Sequence, residues 1–325
     1  MDRINRRRFI ETSSKLLGVS ALGGLFIGCG SEGGQSAQPE QTSPAAQAAN
    51  VAWKYAICNE IMQDWDWKRQ CQYAAEVGYQ GLEVAPFTLG DHVDDLSADR
   101  RAEIRETARE AGLEILGLHW LLVTPEGLHT TTPDEAVRQE SWEYMVKLAA
   151  FCADLGGQVM IFGSPGQRSS QGISTEQAVE NLTQGLRDVA PRIAEHNVKL
   201  LLEPLSSDQT DVINTLGEAL AVVEAVDHPA VSAMFDFHNT ADETRPLDEL
   251  VRTYYDHIEH IQIQEMDGTY LGTGDAVEAY LPALRAFKEQ GYDRWISLEV
   301  FDFEPGPEQI ATTSMETLQR MAAAL

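Results

Sequence analysis

Four apolar runs in the second half of the sequence each end on an oxygen-bearing side chain: Glu203 closes KLLLE, Asp236 closes VSAMFD, Gln262 closes IEHIQ and Glu299 closes WISLE. One strand-end acid by itself reads as a solvated loop residue. Four in succession form a donor set of three carboxylates and a neutral amide oxygen, which suits one divalent metal ion of hard-to-borderline character: Mn²⁺, Mg²⁺, Co²⁺ or Zn²⁺. Without a cation, three neighbouring carboxylates would repel and at least one would tend to keep its proton. The competing reading is pairing with basic side chains, yet these are scarce in the segments that follow the strand ends, Arg168 and Arg245 being the candidates there.

Such a metal, gripping vicinal oxygens of a hydroxy-ketone, would acidify the intervening C–H by stabilising an enediolate. Glu203 and Glu299, reaching the substrate from opposite sides, can then act as the catalytic pair. One removes the proton and the other returns it on the opposite face or to the neighbouring carbon, which is epimerisation or isomerisation of a sugar. The same abstraction serves a lyase or dehydratase acting on a 3-keto-sugar or keto-glycoside. A reading from a different class is a non-catalytic sugar-binding lipoprotein on a decayed enzyme fold, against which the intact acid set argues.

These residues must be positioned by strands. Short apolar runs alternate with stretches of helical period, predicting strands at Tyr55–Cys58, Gly81–Ala85, Glu114–Leu118, Gln158–Phe162, Lys199–Glu203, Val231–Phe235, Ile258–Ile263 and Trp295–Glu299. Helical patterns between them include Trp67–Val77, Arg100–Ala111, Asp134–Leu155, Thr175–His196, Thr215–Val226 and Ala279–Gln290, several stopping at a glycine such as Gly78, Gly112 or Gly291. Lys199–Leu202 reads as a strand buried on both faces, and Pro204 forbids its continuation. Eight strand–helix beats in the 275 residues from 51 to 325 predict an α/β fold, a single-domain (β/α)8 TIM barrel. No GxGxxG follows the first strand, so a dinucleotide fold is disfavoured.

The carboxyl ends of the strands form the active face of such a barrel. They collect Asn59, Glu60, Glu83, His119, Trp120, Gly163, His238 and Glu265 beside the four donors. His119 is a candidate substrate-hydroxyl contact and Trp120 a stacking wall, with core filling as the alternative for Trp120. Glu83 reads as a contact to a sugar hydroxyl or as a loop cap. His238 and Glu265 join the substrate-binding group. His257 and His260 read as packed or surface histidines, and His129 sits in a loop that would serve as a lid.

Residues 1–29 read as an export label to be set apart from the fold: Arg6-Arg7 fit a twin-arginine signal, and Phe26-Ile27-Gly28-Cys29 resembles a lipobox with Cys29 as the lipidated residue. Residues 30–50, rich in Gly, Ser, Gln, Ala and Pro, read as a flexible tether. The domain is thus expected in the cell envelope, on the periplasmic side, touching membrane only through its lipid anchor. The formal charge is −27, and the first 29 residues carry +3, leaving −30 on the remainder. That surface opposes binding to nucleic acid. Cys58, Cys71 and Cys152 lack CxxC spacing, so neither a disulfide framework nor a zinc ribbon is expected.

From Val51 onward the chain resembles the xylose-isomerase-like TIM-barrel family that includes ketose 3-epimerases, hydroxypyruvate isomerase and inosose dehydratase. The resemblance is carried by GLEVAPF (81–87), GLHWLL (117–122), LLEPL (201–205), FDFHN (235–239), HIQIQEMDG (260–268), LGTGDA (271–276) and GYDRWISLEVF (291–301). It implies Glu203, Asp236, Gln262 and Glu299 as metal ligands, Glu203 and Glu299 as the acid/base pair, and a small-molecule carbohydrate substrate. A homodimer or homotetramer is the expected assembly. Ketose epimerases carry histidine where Gln262 stands, which resembles the hydroxypyruvate isomerase pattern. They place a substrate-contacting histidine three residues after the aspartate, whereas His238 follows Asp236 by two. Their arginine past strand seven is replaced by Glu265, Met266, Asp267 and Gly268. The abasic-site endonucleases share the barrel, but their fuller histidine-rich zinc set is not evident here.

Overall fold

A computed structural model describes residues 53–325. The twin-arginine signal, Cys29 and the tether lie outside the described residues. Among the described residues, no helix is long and apolar enough to cross a membrane.

Eight strands close a parallel barrel: β1 Lys54–Cys58, β2 Gly81–Val84, β3 Glu114–Leu118, β4 Val159–Phe162, β5 Lys199–Leu202, β6 Val231–Asp236, β7 Ile258–Ile263 and β8 Trp295–Leu298. Closure runs through β1 and β8, where Lys54 pairs with Trp295 and Ile57 with Leu298. The helices of the wall are α1 Trp67–Val77, α2 Ala98–Glu110, α3 Glu135–Leu155, α4 Thr175–Ala194, α5 Leu216–Val226, α6 Leu247–Tyr254, α7 Ala276–Gln290 and α8 Pro307–Ala323. Their ends follow local chemistry. The Asp66 side chain accepts from Arg69 N to open α1, and Gly78 closes it at φ 109°. Thr215 and Glu218 form a reciprocal capping box on α5.

Two helices lie beyond the patterns read from sequence. α6 has only eight residues, too short for a strong periodic signal. α8 follows the last strand and starts at Pro307. It turns Ile310, Ala311, Met315, Leu318 and Met321 inward. Tyr79 ties it to the strand-two entry by donating its hydroxyl to Ala311 O.

The barrel interior is divided. Ile161, Leu201 and Met234, from β4, β5 and β6, form a small apolar cluster separate from the sheet–helix core. Because side chains alternate along a strand, the residues two positions on, Gly163, Glu203 and Asp236, project to the same interior one layer higher. On the other side, β2, β3, β7 and β8 fill the interior with Glu83, His119, His260, Gln262 and Ser297, all buried. Gly117 is required where β3 meets β4, since a Cβ there would run into the Val159 carbonyl. Cys58, Cys71 and Cys152 are buried free thiols.

Candidate active site

Glu203 lies one residue past β5, Asp236 ends β6, and Glu299 lies one residue past β8. Each offers a carboxylate oxygen, and these atoms all lie within 4.8 Å of one another in a buried cluster. Burial, then the charges of Glu299 and Asp236, push the Glu203 carboxyl well above the usual range. Burial raises Glu299 in the same direction, against the pull of His119. Burial also pushes Asp236 up to about 7. Three acids that resist ionisation together are a site whose charge calls for a cation.

Gln262 completes the set. Its register partner across β6 is Asp236, so both project from the same face of the sheet. Its amide nitrogen donates to Glu83 Oε1 at 2.7 Å, while its Oε1 is buried with no hydrogen-bond partner. A buried acceptor without a donor is costly, and a cation would satisfy it. The donors present therefore fit one divalent ion held by Glu203, Asp236, Gln262 and Glu299.

Surrounding groups hold this set in place. Asn239, also buried, donates its amide to Glu203 Oε1 at 3.0 Å and to Asp236 Oδ2 at 2.6 Å. Its Oδ1 accepts from Ser206 N at 3.2 Å, which fixes the orientation. Arg168 is 0% exposed. It donates to Gly163 O at 3.0 Å and Glu203 O at 2.9 Å, lashing the ends of β4 and β5 together. Burial lowers its pKa to about 10 although Glu203 opposes the shift. Gly163 leaves room for the acid, since a Cβ there would overlap Glu203 Oε2. The sequence reading did not single out Asn239 or the positioning role of Arg168. For Asn239 the available signal was its place three residues after Asp236.

The residues expected to touch substrate divide into three groups. Trp120 stands at the mouth, half-buried, its indole N–H donating to Glu299 Oε1 at 2.9 Å. Its ring faces Phe87 at 5.9 Å and Phe301 at 6.4 Å between centroids, which makes an aromatic wall. His238 continues the wall, packed edge-on against Phe301 at 5.1 Å. Its backbone N–H donates to Asp236 Oδ1, and burial lowers its imidazole pKa.

His119 and Glu83 lie deeper. His119 Nε2 is 2.8 Å from Glu60 Oε2, and its Nδ1 is 3.6 Å from Glu83 Oε1. Burial opposes its charge, but Glu60 and Glu83 outweigh burial and lift the imidazole to about 9. Glu83 is 0% exposed. His260 Nε2 sits 2.8 Å from its Oε2. Burial works against this carboxylate too, yet His260 and His119 bring its pKa down to about 2. Expected at a sugar hydroxyl or a loop cap, Glu83 is instead enclosed among side chains beneath the mouth. His260 is packed, as one of its two sequence readings had it.

Glu265 is placed elsewhere. Its oxygens accept from Gly272 N at 2.8 Å and Ala276 N at 3.0 Å. It therefore anchors the 265–276 loop and the start of α7. The glycine-rich LGTGDA segment allows this by folding its amides back, and Gly274 abuts the carboxylate.

A model of the family described as xylose isomerase-like TIM barrel matches residues 71–321. A probable ketose 3-epimerase from Synechocystis is 26% identical over 240 residues, covering 72% of this chain and 78% of that protein. Among solved structures, a D-psicose 3-epimerase from Clostridium cellulolyticum superposes with TM-score 0.72 at 18% identity, over 83% of this chain and 98% of its own. A 3-keto-D-glucoside 4-epimerase from E. coli superposes with TM-score 0.70 at 17% identity, over 83% of this chain and 99% of its own. At these identities the structural likenesses speak for the fold.

Proposed function

The chain belongs to the xylose isomerase-like TIM barrel family, and from that membership and the geometry of its mouth we propose that it is an epimerase or isomerase of an unphosphorylated sugar or keto-sugar. The observation that carries the reading is the buried triad Glu203, Asp236 and Glu299, beside a Gln262 oxygen that lacks a partner. The names of the relatives support a carbohydrate substrate.

Glu203, Asp236, Gln262 and Glu299 would hold one divalent ion. When bound, it would supply Lewis-acid polarisation of substrate oxygens, making the adjacent C–H more acidic. Glu203 and Glu299 come from β5 and β8, on either side of the β6 and β7 donors. In the proposed reaction one of them takes the proton from carbon and the other delivers one. Trp120 orients the Glu299 carboxylate through its indole N–H. Phe87, Trp120 and Phe301 offer apolar surface to the carbon face of a sugar and shield the reacting position from water.

Export and anchoring through Cys29 are part of the proposal, and they motivate an unphosphorylated substrate, since sugar phosphates are mostly kept in the cytoplasm. Labelling of Cys29 with a radioactive fatty acid, lost in Cys29→Ser, tests that part separately.

The deciding experiment is turnover of a panel of ketoses and 3-keto-glycosides in D₂O, with metal content measured on the same sample. Deuterium entering the carbon next to the carbonyl, abolished in Glu203→Gln and in Glu299→Gln, is the expected result. Absence of incorporation across the panel by a metal-loaded protein would remove the reading. Loss of an aglycone or formation of an unsaturated product would reassign the same site to elimination.

A further inference from the structure

The side-chain amide of Gln262 can present either an oxygen or an NH₂ group to the carboxylate cluster, and only the oxygen can ligate a metal. Nothing in Gln262 itself makes the choice, because the two ends of an amide are nearly the same size. The choice is made across the barrel. Glu83 Oε1 accepts the Gln262 N–H at 2.7 Å. The other Glu83 oxygen is occupied by His260 Nε2 at 2.8 Å. Glu83 therefore cannot turn away, and it is 0% exposed, so no solvent competes for it. Both Glu83 oxygens lie within hydrogen-bond reach of a nitrogen, and the one facing Gln262 accepts its N–H. A flipped amide would set oxygen against oxygen at this contact.

We infer that Glu83 is a positioning residue that fixes Gln262 as an oxygen donor, and thereby makes the metal centre an all-oxygen site. The inference rests on the metal reading proposed above. It goes further by giving a function to a buried acid outside the ligand set, and by predicting metal preference. An all-oxygen set of three carboxylates and a carbonyl favours Mn²⁺ and Mg²⁺ relative to a set containing imidazole, which favours the borderline ions. The His119–Glu60 pair on the far side of Glu83 extends the clamp, since His119 Nδ1 faces Glu83 Oε1 at 3.6 Å.

The test is Mn²⁺ binding by calorimetry to the full chain and to three variants, with folding checked by circular dichroism. Glu83→Gln removes the enforced acceptor and frees the amide to turn. Mn²⁺ affinity should fall by about 10- to 100-fold, the range for lost partners of metal ligands. Gln262→Glu alone sets two carboxylates against each other and should also bind weakly. The exchange variant Glu83→Gln with Gln262→Glu restores the hydrogen bond with its direction reversed. It presents an oxygen whichever way residue 262 turns, so affinity should return to within about tenfold of the native value, a rescue that a merely structural role would not produce. Native-like affinity in a folded Glu83→Gln chain, or weak binding by a folded exchange variant, overturns the inference.

Should either variant fail to fold, the native chain still decides. Its Gln262 side-chain N–H resonances, assigned by their loss in Gln262→Met, should be protected from solvent exchange. Exchange as fast as that of surface amides would overturn the inference. A native chain that binds no Mn²⁺ at all would instead sink the metal reading itself.

Discussion

Trp120 donates its indole N–H to Glu299 Oε1 at 2.9 Å from a backbone held in the left-handed region, at φ 52°. An aromatic residue seldom adopts that conformation, which costs on the order of 1–3 kcal/mol. The turn swings the indole from the end of β3 toward the end of β8, joining the aromatic wall to one member of the proposed proton-transferring pair. Trp120→Phe keeps ring surface against Phe87 and Phe301 and deletes only the donor. A hydrogen bond to a charged group contributes roughly 1.5–3 kcal/mol, so kcat should drop by about 10- to 100-fold with the melting temperature little changed. Steady-state kinetics on the sugar found active in D₂O checks this. An unchanged kcat would mean that Glu299 is held without Trp120.

Gly163→Ala tests the room left for Glu203. The new methyl would overlap Glu203 Oε2, and Arg168 grips both backbone carbonyls so that the strand ends cannot spread. The side chain of Glu203 must give way. Metal affinity should fall by about tenfold or more, with the circular dichroism of the barrel retained. Calorimetry reads the outcome, and native affinity would show that the strand ends yield instead.

Acidity of the metal-free site sets its stability. Asp236 has a folded pKa of about 7, above the roughly 3.9 of an unfolded aspartate. The folded state therefore binds this proton more tightly than the unfolded state. Its contribution is fully present below about pH 4 and is lost as pH rises through about 7. Chelated protein should lose melting temperature across that window relative to metal-loaded protein, and divalent-ion affinity should climb over the same range as the proton is displaced. Thermal melts with and without EDTA at pH 5 and pH 7.5 test both signs. A larger metal stabilisation at pH 5 would contradict the assignment.

His129 provides the opposite sign. Its Nδ1 accepts from Thr131 N at 3.3 Å and Thr132 N at 3.0 Å, and Thr131 Oγ1 donates to Ser169 O at 2.6 Å. Burial holds this imidazole below its usual value, and a protonated ring could no longer accept. The clasp between the two loops is complete above the unfolded histidine value of about 6.5 and is lost as pH falls through the lowered folded value. Protection factors of the Thr131 and Thr132 amides should fall by about tenfold from pH 7.5 to pH 5. Protection that is unchanged would locate the clasp elsewhere.

Much of this was legible in the residue order for a physical reason. Leu200, Leu201 and Leu202 are buried on both faces of a parallel sheet, so an unbroken apolar run marks the strand, and the first polar residue after it marks the mouth. Glu203 and Glu299 were singled out as candidates that way. The role of Glu83 was not legible, because its partners His260 and Gln262 stand 177 and 179 positions away, and barrel closure alone brings them together. The anchoring contacts of Glu265 were not legible, because its carboxylate is claimed by amides of a loop whose path no periodic pattern announces. Asn239 was passed over, and only its two short contacts reveal a bridge between carboxylates.

The divided barrel interior has an evolutionary consequence. The proposed cation donors all come from β5 to β8, whereas Phe87 and Trp120 rise from the loops after β2 and β3. Selection acting through those two loops could remodel which molecule is admitted without disturbing the ionic half that would perform the reaction. The two halves depend on each other at the Trp120–Glu299 contact and, deeper, at the Gln262–Glu83 contact. A lineage changing its substrate would be free to vary Phe87 before it could lose the tryptophan.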